Sequence, residues 1–142
     1  MIEATFPSGV LTFSAISGSY RKLVIEIVGR MTGTAASFAA VRLTFNGDST
    51  AGNYVSQTSQ AAVTTVSTTE QVGTVGYIQV GIVSGQSSSA GVYGAITIEI
   101  PEYANTGFDK MVRAFGGGAQ SLASGLVINT WAGGVWANTA AI

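Results

Sequence analysis

Hydrophobic and polar residues alternate along most of this chain, and a period of two is the mark of β-strands. Residues 10–16 set Leu11, Phe13 and Ala15 on one side against Thr12 and Ser14 on the other. In residues 23–28, Leu23, Ile25 and Ile27 share one face. The other face carries Val24, Glu26 and Val28, which predicts a strand covered on both sides. In residues 39–45, Val41, Leu43 and Phe45 point inward and Arg42 and Thr44 outward. Residues 72–83 predict a longer strand with Ile78, Val80 and Ile82 in one row. The clearest alternation lies in residues 92–100, where Ile96, Ile98 and Ile100 oppose Tyr93, Thr97 and Glu99. In residues 108–115, Lys110 and Val112 oppose Met111, Arg113 and Phe115; residues 126–131 predict a final strand.

Turn signals punctuate these segments. Asn46 and Gly47 both tolerate positive φ, so Asn46, Gly47 and Asp48 are turn determinants that open a loop ending at Tyr54. Pro101 ends one strand, Asn105-Thr106-Gly107 forms another turn, and Gly116-Gly117-Gly118 predicts a break. Residues 57–69, rich in Gln, Ser, Thr and Val, predict a polar strand or extended loop with little core contribution. Residues 84–91 predict a flexible loop by composition. A short helix or turn fits only at residues 35–38 or 121–124. Seven or eight strands and no helical stretch define an all-β chain: an antiparallel β-sandwich, jelly-roll-like, forming one domain over residues 1–142.

Composition then narrows the function. Of 142 residues, six are Lys or Arg, seven are Asp or Glu, and none is His or Cys. Charged residues make up 9%, against roughly 25% in an ordinary soluble domain. Arg21 and Lys22 are the only adjacent cations, too few to neutralise a run of phosphates, so no nucleic-acid partner is expected. The mean hydropathy is +0.40, yet the apolar runs are a few residues long, far below the ~20 that span a bilayer. The aromatics do not recur as two girdles of a membrane barrel, so no membrane insertion is expected. The first residues, Met1-Ile2-Glu3-Ala4, show neither the basic nor the apolar region of a signal peptide.

The same scarcity removes most chemistry and predicts a protein that is not an enzyme. A nucleophilic triad has no His to act as base, and a Ser–Lys pair would have to use Lys22 or Lys110. Zinc lacks its Cys and His ligands, and no cofactor motif is present. A carboxylate pair would draw on Glu99, Glu102 or Asp109, but Glu99 sits on a strand face, solvated or paired with Lys110 or Arg113. Asp48, beside Asn46 and Ser49, offers one carboxylate to calcium and fits an Asx-type turn better. The Gly116–118 run lacks the Lys and Thr of a phosphate loop. Trp131 and Trp136 flank Gly133-Gly134 and either stack on a sugar or a protein partner or finish the core. Tyr54 and Tyr103 are further candidates for an interface or a ligand-stacking platform.

Several segments in order carry a resemblance. Tyr20-Arg21-Lys22-Leu23-Val24-Ile25 leads to Arg30, and then comes Val41-Arg42-Leu43-Thr44-Phe45-Asn46-Gly47-Asp48 with Asn53-Tyr54. Ile98-Glu99-Ile100-Pro101-Glu102-Tyr103, Lys110, Gly134-Val135-Trp136 and Thr139-Ala140-Ala141-Ile142 follow. This order resembles small structural proteins of tailed bacteriophages, tail-fibre-like or minor virion proteins expected to fold as β-sandwiches. The resemblance implies a capsid decoration or a head or tail appendage, made in the host cytoplasm and located in the virion. It implies assembly with itself as a homotrimer and with other virion proteins, or binding of a host surface glycan, and no active site. Members of the class continue past the Trp…Ala-Ile segment into another strand, which implies that the natural protein either is shorter or extends beyond Ile142.

Overall fold

The computed structural model describes residues 9–33, 36–121 and 125–142. Among them are eight strands: β1 (Lys22–Gly29), β2 (Phe38–Leu43), β3 (Tyr54–Ala62), β4 (Thr65–Val72), β5 (Ile78–Ser84), β6 (Gly94–Pro101), β7 (Lys110–Ser121) and β8 (Leu126–Trp136). One turn of 3-10 helix spans Ala51–Asn53. The strands form two antiparallel sheets, one of six in the order β1-β6-β7-β8-β3-β4 and one of two, β2-β5. The chain is therefore an all-β, two-sheet sandwich, as the alternation predicts.

The core lies between the sheets and follows the period-two pattern. Ile96, Ile98 and Ile100 of β6 are buried and pair with Ile27, Ile25 and Leu23 of β1. Val112 and Ala114 of β7 continue this face, and Ile78, Val80 and Val83 of β5 close over it. Each fully buried Ile or Val stabilises the fold by about 1.5–3 kcal/mol relative to exposure.

Several expectations are corrected. Residues 10–16 form no strand and have no ladder partner among the described residues; Ala15 is a bend. The second face of β1 is open, with Val24 and Val28 exposed, because the small sheet covers only one side of the large one. The polar strand expected over residues 57–69 is present, as a hairpin of β3 and β4 that turns at Val63 and Thr64. The expected strand over 72–83 shortens to β5, and its register shifts between Val41 and Arg42 of the partner. This bulge turns Ile82 away and brings Val83 into the core in its place. Of the two proposed helical spots, residues 121–124 lie mostly outside the described residues, as does residue 35 of the other; Ala36 and Ser37 form a bend. The N-terminal segment 1–4 is outside them too.

The Gly116–118 run does not break a strand. β7 continues through it for twelve residues. Glycine is required there because other backbone approaches too closely for a side chain. A Cβ on Gly118 would stand 2.7 Å from the Ser84 nitrogen of β5, and one on Gly117 would collide with the Ile128 carbonyl oxygen of β8. Ser84, fully buried, uses this proximity: its hydroxyl donates to the Ala119 carbonyl at 2.8 Å and accepts from the Ala119 N–H at 3.2 Å. One side chain thus ties the two sheets together.

The loop after β5 is held as well. The Arg30 guanidinium donates to the carbonyls of Ser89 at 2.8 Å, Gln86 at 2.6 Å and Ser88. Ser88 is buried and donates to the Ser37 carbonyl at 2.6 Å. A composition that suggests flexibility is overruled by one arginine that gathers three carbonyls.

Gly118→Ala is expected to destabilise the protein by about 1–3 kcal/mol, the usual cost of overpacking. Gly133→Ala, whose nearest added contact is 3.9 Å away, should be nearly neutral. Urea unfolding of both variants checks the contrast.

Candidate functional site

The structure separates the aromatic residues that the sequence groups together. Tyr54, Tyr103 and Trp136 are each 1% exposed, so they are core residues and not surface platforms. Trp131 is 53% exposed. The physical reason is parity: Trp131 and Trp136 are five residues apart on one strand, and an odd spacing puts them on opposite faces.

Tyr54 and Trp136, with Phe45, build one end of the sandwich around Asp48. Phe45, Asn46, Gly47 and Asp48 form the expected turn, with Asn46 and Gly47 at φ of 51° and 71° and the Asp48 N–H donating to the Phe45 carbonyl at 2.8 Å. One carboxylate oxygen of Asp48 accepts from Trp136 Nε1 at 2.7 Å and from Asn53 Nδ2 at 2.8 Å; the other accepts from the Thr50 N–H at 2.8 Å. The Tyr54 hydroxyl donates to the Asp48 carbonyl at 2.8 Å and accepts from the Phe45 N–H at 3.1 Å. Trp136 tilts against Phe45 with ring centroids 5.3 Å apart. The donors from Asn53, Trp136 and Thr50 hold the Asp48 carboxyl far below its ordinary value of 3.8. Both carboxylate oxygens are engaged by the protein itself, so Asp48 is a structural hub of the turn.

Lys110 is buried in the same end. Its Nζ donates to the carbonyls of Asn105 at 2.5 Å, Phe108 at 2.7 Å and Thr139 at 3.2 Å. The C-terminal residues are tied down further: Asn46 Nδ2 donates to the Ala141 carbonyl at 2.8 Å, and the Ile142 N–H donates to the Tyr103 carbonyl at 3.1 Å. Glu99 pairs with Lys22 at 3.0 Å and Arg113 at 3.1 Å, not with Lys110, and Glu102 pairs with Arg21 at 3.0 Å. Glu99, Glu102, Lys22 and Lys110, named as catalytic candidates, are thus bonded to structural partners. Among the described residues no group of three His, Cys, Asp or Glu side chains is placed to hold a metal ion.

The outer face of the large sheet is different in kind. A solvent-facing sheet surface ordinarily alternates to polar residues. Here Phe115 and Trp131 are directly cross-paired on β7 and β8, 59% and 53% exposed. Thr97 of β6 and Ser59 of β3 flank them in a row that runs on to Glu26 of β1 and Thr68 of β4. The next row holds Ala95, Gly117, Asn129 and Ala61. Tyr93, 60% exposed, and Val127 stand at its margin. Because Gly117 contributes no side chain, the aromatics rim a shallow depression of about 470 Å³ lined by Tyr93, Thr97, Phe115, Val127, Asn129 and Trp131. No lining residue is charged. On the opposite flank, Glu99 is neutralised by Lys22 and Arg113, and the hydrogen bond from Lys22 holds its carboxyl below the usual range. Val24, Val28, Met111, Val66 and Val72 extend the apolar exposure towards both edges.

Tyr93 and Phe115 are the members of this patch that sequence reasoning misses. Each stands at an outward position of its segment, but only the pairing of β6, β7 and β8 brings them beside Trp131. No family model, no curated protein and no solved structure matches the chain.

Trp136→Ala should cost about 3–5 kcal/mol in urea unfolding, the usual penalty for emptying a core of an aromatic. The Asp48 carboxyl is lower in the folded than in the unfolded chain, so its contribution is present above 3.8 and is lost as pH falls below that value. Thermal melts from pH 7 downward should therefore show stability falling below about pH 4, and Asp48→Asn should flatten that fall.

Proposed function

We propose that this chain is a structural component of a tailed-bacteriophage particle, a capsid decoration or a head or tail appendage. It acts by packing against copies of itself and neighbouring virion proteins, and catalysis is no part of its role. The observation that carries this reading is the charge-free aromatic patch of Tyr93, Phe115 and Trp131 on a sheet face that an isolated domain would keep polar. Buried aromatic anchors supply most of the energy of protein contacts. The large sheet spans six strands, about 25 Å at the usual strand spacing. A face of that width and similar height approaches the ~800 Å² per partner of a stable interface. The segments from Tyr20 to Ile142 that resemble phage structural proteins supply the virion context, and with it a homotrimer. The jelly-roll likeness belongs to the same proposal: β1 and β3 flank the consecutive β6-β7-β8 meander, which requires long crossings between sheets.

A second reading has its own support. A neutral depression with aromatic walls, with Asn129 and Thr97 in its lining, also suits a sugar ring, as in a receptor- or carbohydrate-binding tail-fibre module. The two differ in what covers Trp131.

The double variant Phe115→Ser, Trp131→Ser should unfold within about 1 kcal/mol of the wild type, because both side chains are exposed. It should also lose concentration-dependent self-association in sedimentation velocity. Unchanged association together with lost glycan-array binding would replace the assembly reading with the carbohydrate one. Electron microscopy of an intact particle, with this chain found at regular lattice or appendage positions, tests the virion assignment.

A further inference from the structure

We propose that residues 10–14 are a strand-donating arm that pairs with the open edge of β2 in a second copy of this chain. The inference rests on the assembly reading and adds to it a second surface, distinct from the aromatic face. Two unrelated features of the structure meet in it.

The first is an arm with the pattern of a strand and no partner. Leu11 and Phe13 alternate with Thr12 and Ser14, yet the segment makes no ladder among the described residues. Val10, Leu11 and Phe13 are exposed. The root of the arm is fixed, because Ile16 packs on the core and the Tyr103 hydroxyl donates to the Ser17 carbonyl. Immediately before this root Ala15 adopts a φ of 54°, a left-handed conformation that a residue with a Cβ takes at a cost of about 1 kcal/mol or more. The anchored root and the kink set the direction of the arm, and along that direction its apolar side chains stay exposed on its own body.

The second is a receiving edge. The small sheet has two strands beneath a sheet of six, and β2 is paired only on its β5 side among the described residues. β2 directs Ala39, Val41 and Leu43 inward and Ala40 and Arg42 outward. It has neither proline nor lysine; its one charge is Arg42, beside the register shift. A third strand added to the small sheet, with Leu11 and Phe13 facing inward, would extend it by main-chain pairing and alternate side-chain insertion.

Area supports a second copy as the donor. A five-residue strand is about 17 Å long, and at roughly 100 Å² per residue an exchange of two arms removes on the order of 1,000 Å², the lower limit of a specific interface. A head-to-tail exchange closes equally into a ring of three.

The test uses the absence of native cysteine. Thr12→Cys places a thiol on the polar side of the arm, and Ala40→Cys or Arg42→Cys places one on the outward side of β2. Side chains on paired strands come within disulfide reach. Full-length single-cysteine variants are mixed, oxidised and run on a non-reducing gel. The expected result is a linked dimer of Thr12→Cys with Ala40→Cys or Arg42→Cys, and none of Thr12→Cys with Thr68→Cys on β4. Absence of any linked dimer overturns the proposal. So does a link that forms only within a single chain carrying both cysteines, which would mean that the arm closes on its own β2. If the mixtures fail to link while Phe115→Ser, Trp131→Ser still abolishes association, the arm falls and assembly through the large sheet stands. If linking persists in that double variant and association is unchanged, the arm stands and the aromatic face is not the interface.

Discussion

Close backbone contact between β7 and β5 is the constraint on which the rest of this structure depends. Two sheets normally sit about 10 Å apart with side chains between them. At Gly118 there is no side chain, and the Ser84 backbone of β5 comes directly against β7. Ser84 then satisfies both polar groups of Ala119 with one hydroxyl. The same glycine run has an effect on the other side of the sheet. Gly117 leaves the floor bare between Phe115, Trp131 and Tyr93, so the feature that lets the sheets approach inside also hollows the aromatic surface outside. Fold and candidate site share a cause.

The opposite end of the sandwich is organised by charge instead of by the lack of a side chain. A single carboxylate, Asp48, receives donors from a tryptophan on β8, an asparagine in the 3-10 turn and a backbone amide in the loop. Lys110 gathers carbonyls from the β6–β7 loop and the C-terminal residues. In a chain with so few ionisable groups, these two are spent on holding loops, where charge-assisted hydrogen bonds are stronger than neutral ones. The exposed ion pairs of Glu99 and Glu102 contribute little to stability, since surface pairs are worth about 0–1 kcal/mol. Glu99 instead offsets one of the two cations, Lys22 and Arg113, at the margin of the aromatic face.

Neutral surface, exposed aromatics, a bare strand edge and an unpaired arm point the same way. Each is a liability for an isolated domain, because open edges and apolar faces invite association. Together they support the proposed assembly, in which the outer sheet face and the β2 edge, lying on different sheets, would meet different neighbours.

Local pattern determined a good part of this protein from the sequence alone. The isoleucines of β6, the Asn46-Gly47-Asp48 turn and the two-sheet architecture follow from a period of two and from the residues that tolerate positive φ. The opposite faces of Trp131 and Trp136 follow from parity only once β8 is known to run on to Trp136, beyond the strand expected over residues 126–131. Other features were decided only by tertiary contact. Glycine in β7 looks like a break until the backbone of β5 and β8 fills the space beside it. The loop after β5 looks mobile until Arg30 reaches it from the end of β1. Residues 10–16 carry the pattern of a strand, but a strand needs a neighbour to supply hydrogen bonds, and no pattern within seven residues says whether that neighbour is present. The aromatic patch assembles from three strands whose order is fixed by pairing across the sheet, and pairing is a long-range choice that alternation along one segment does not encode.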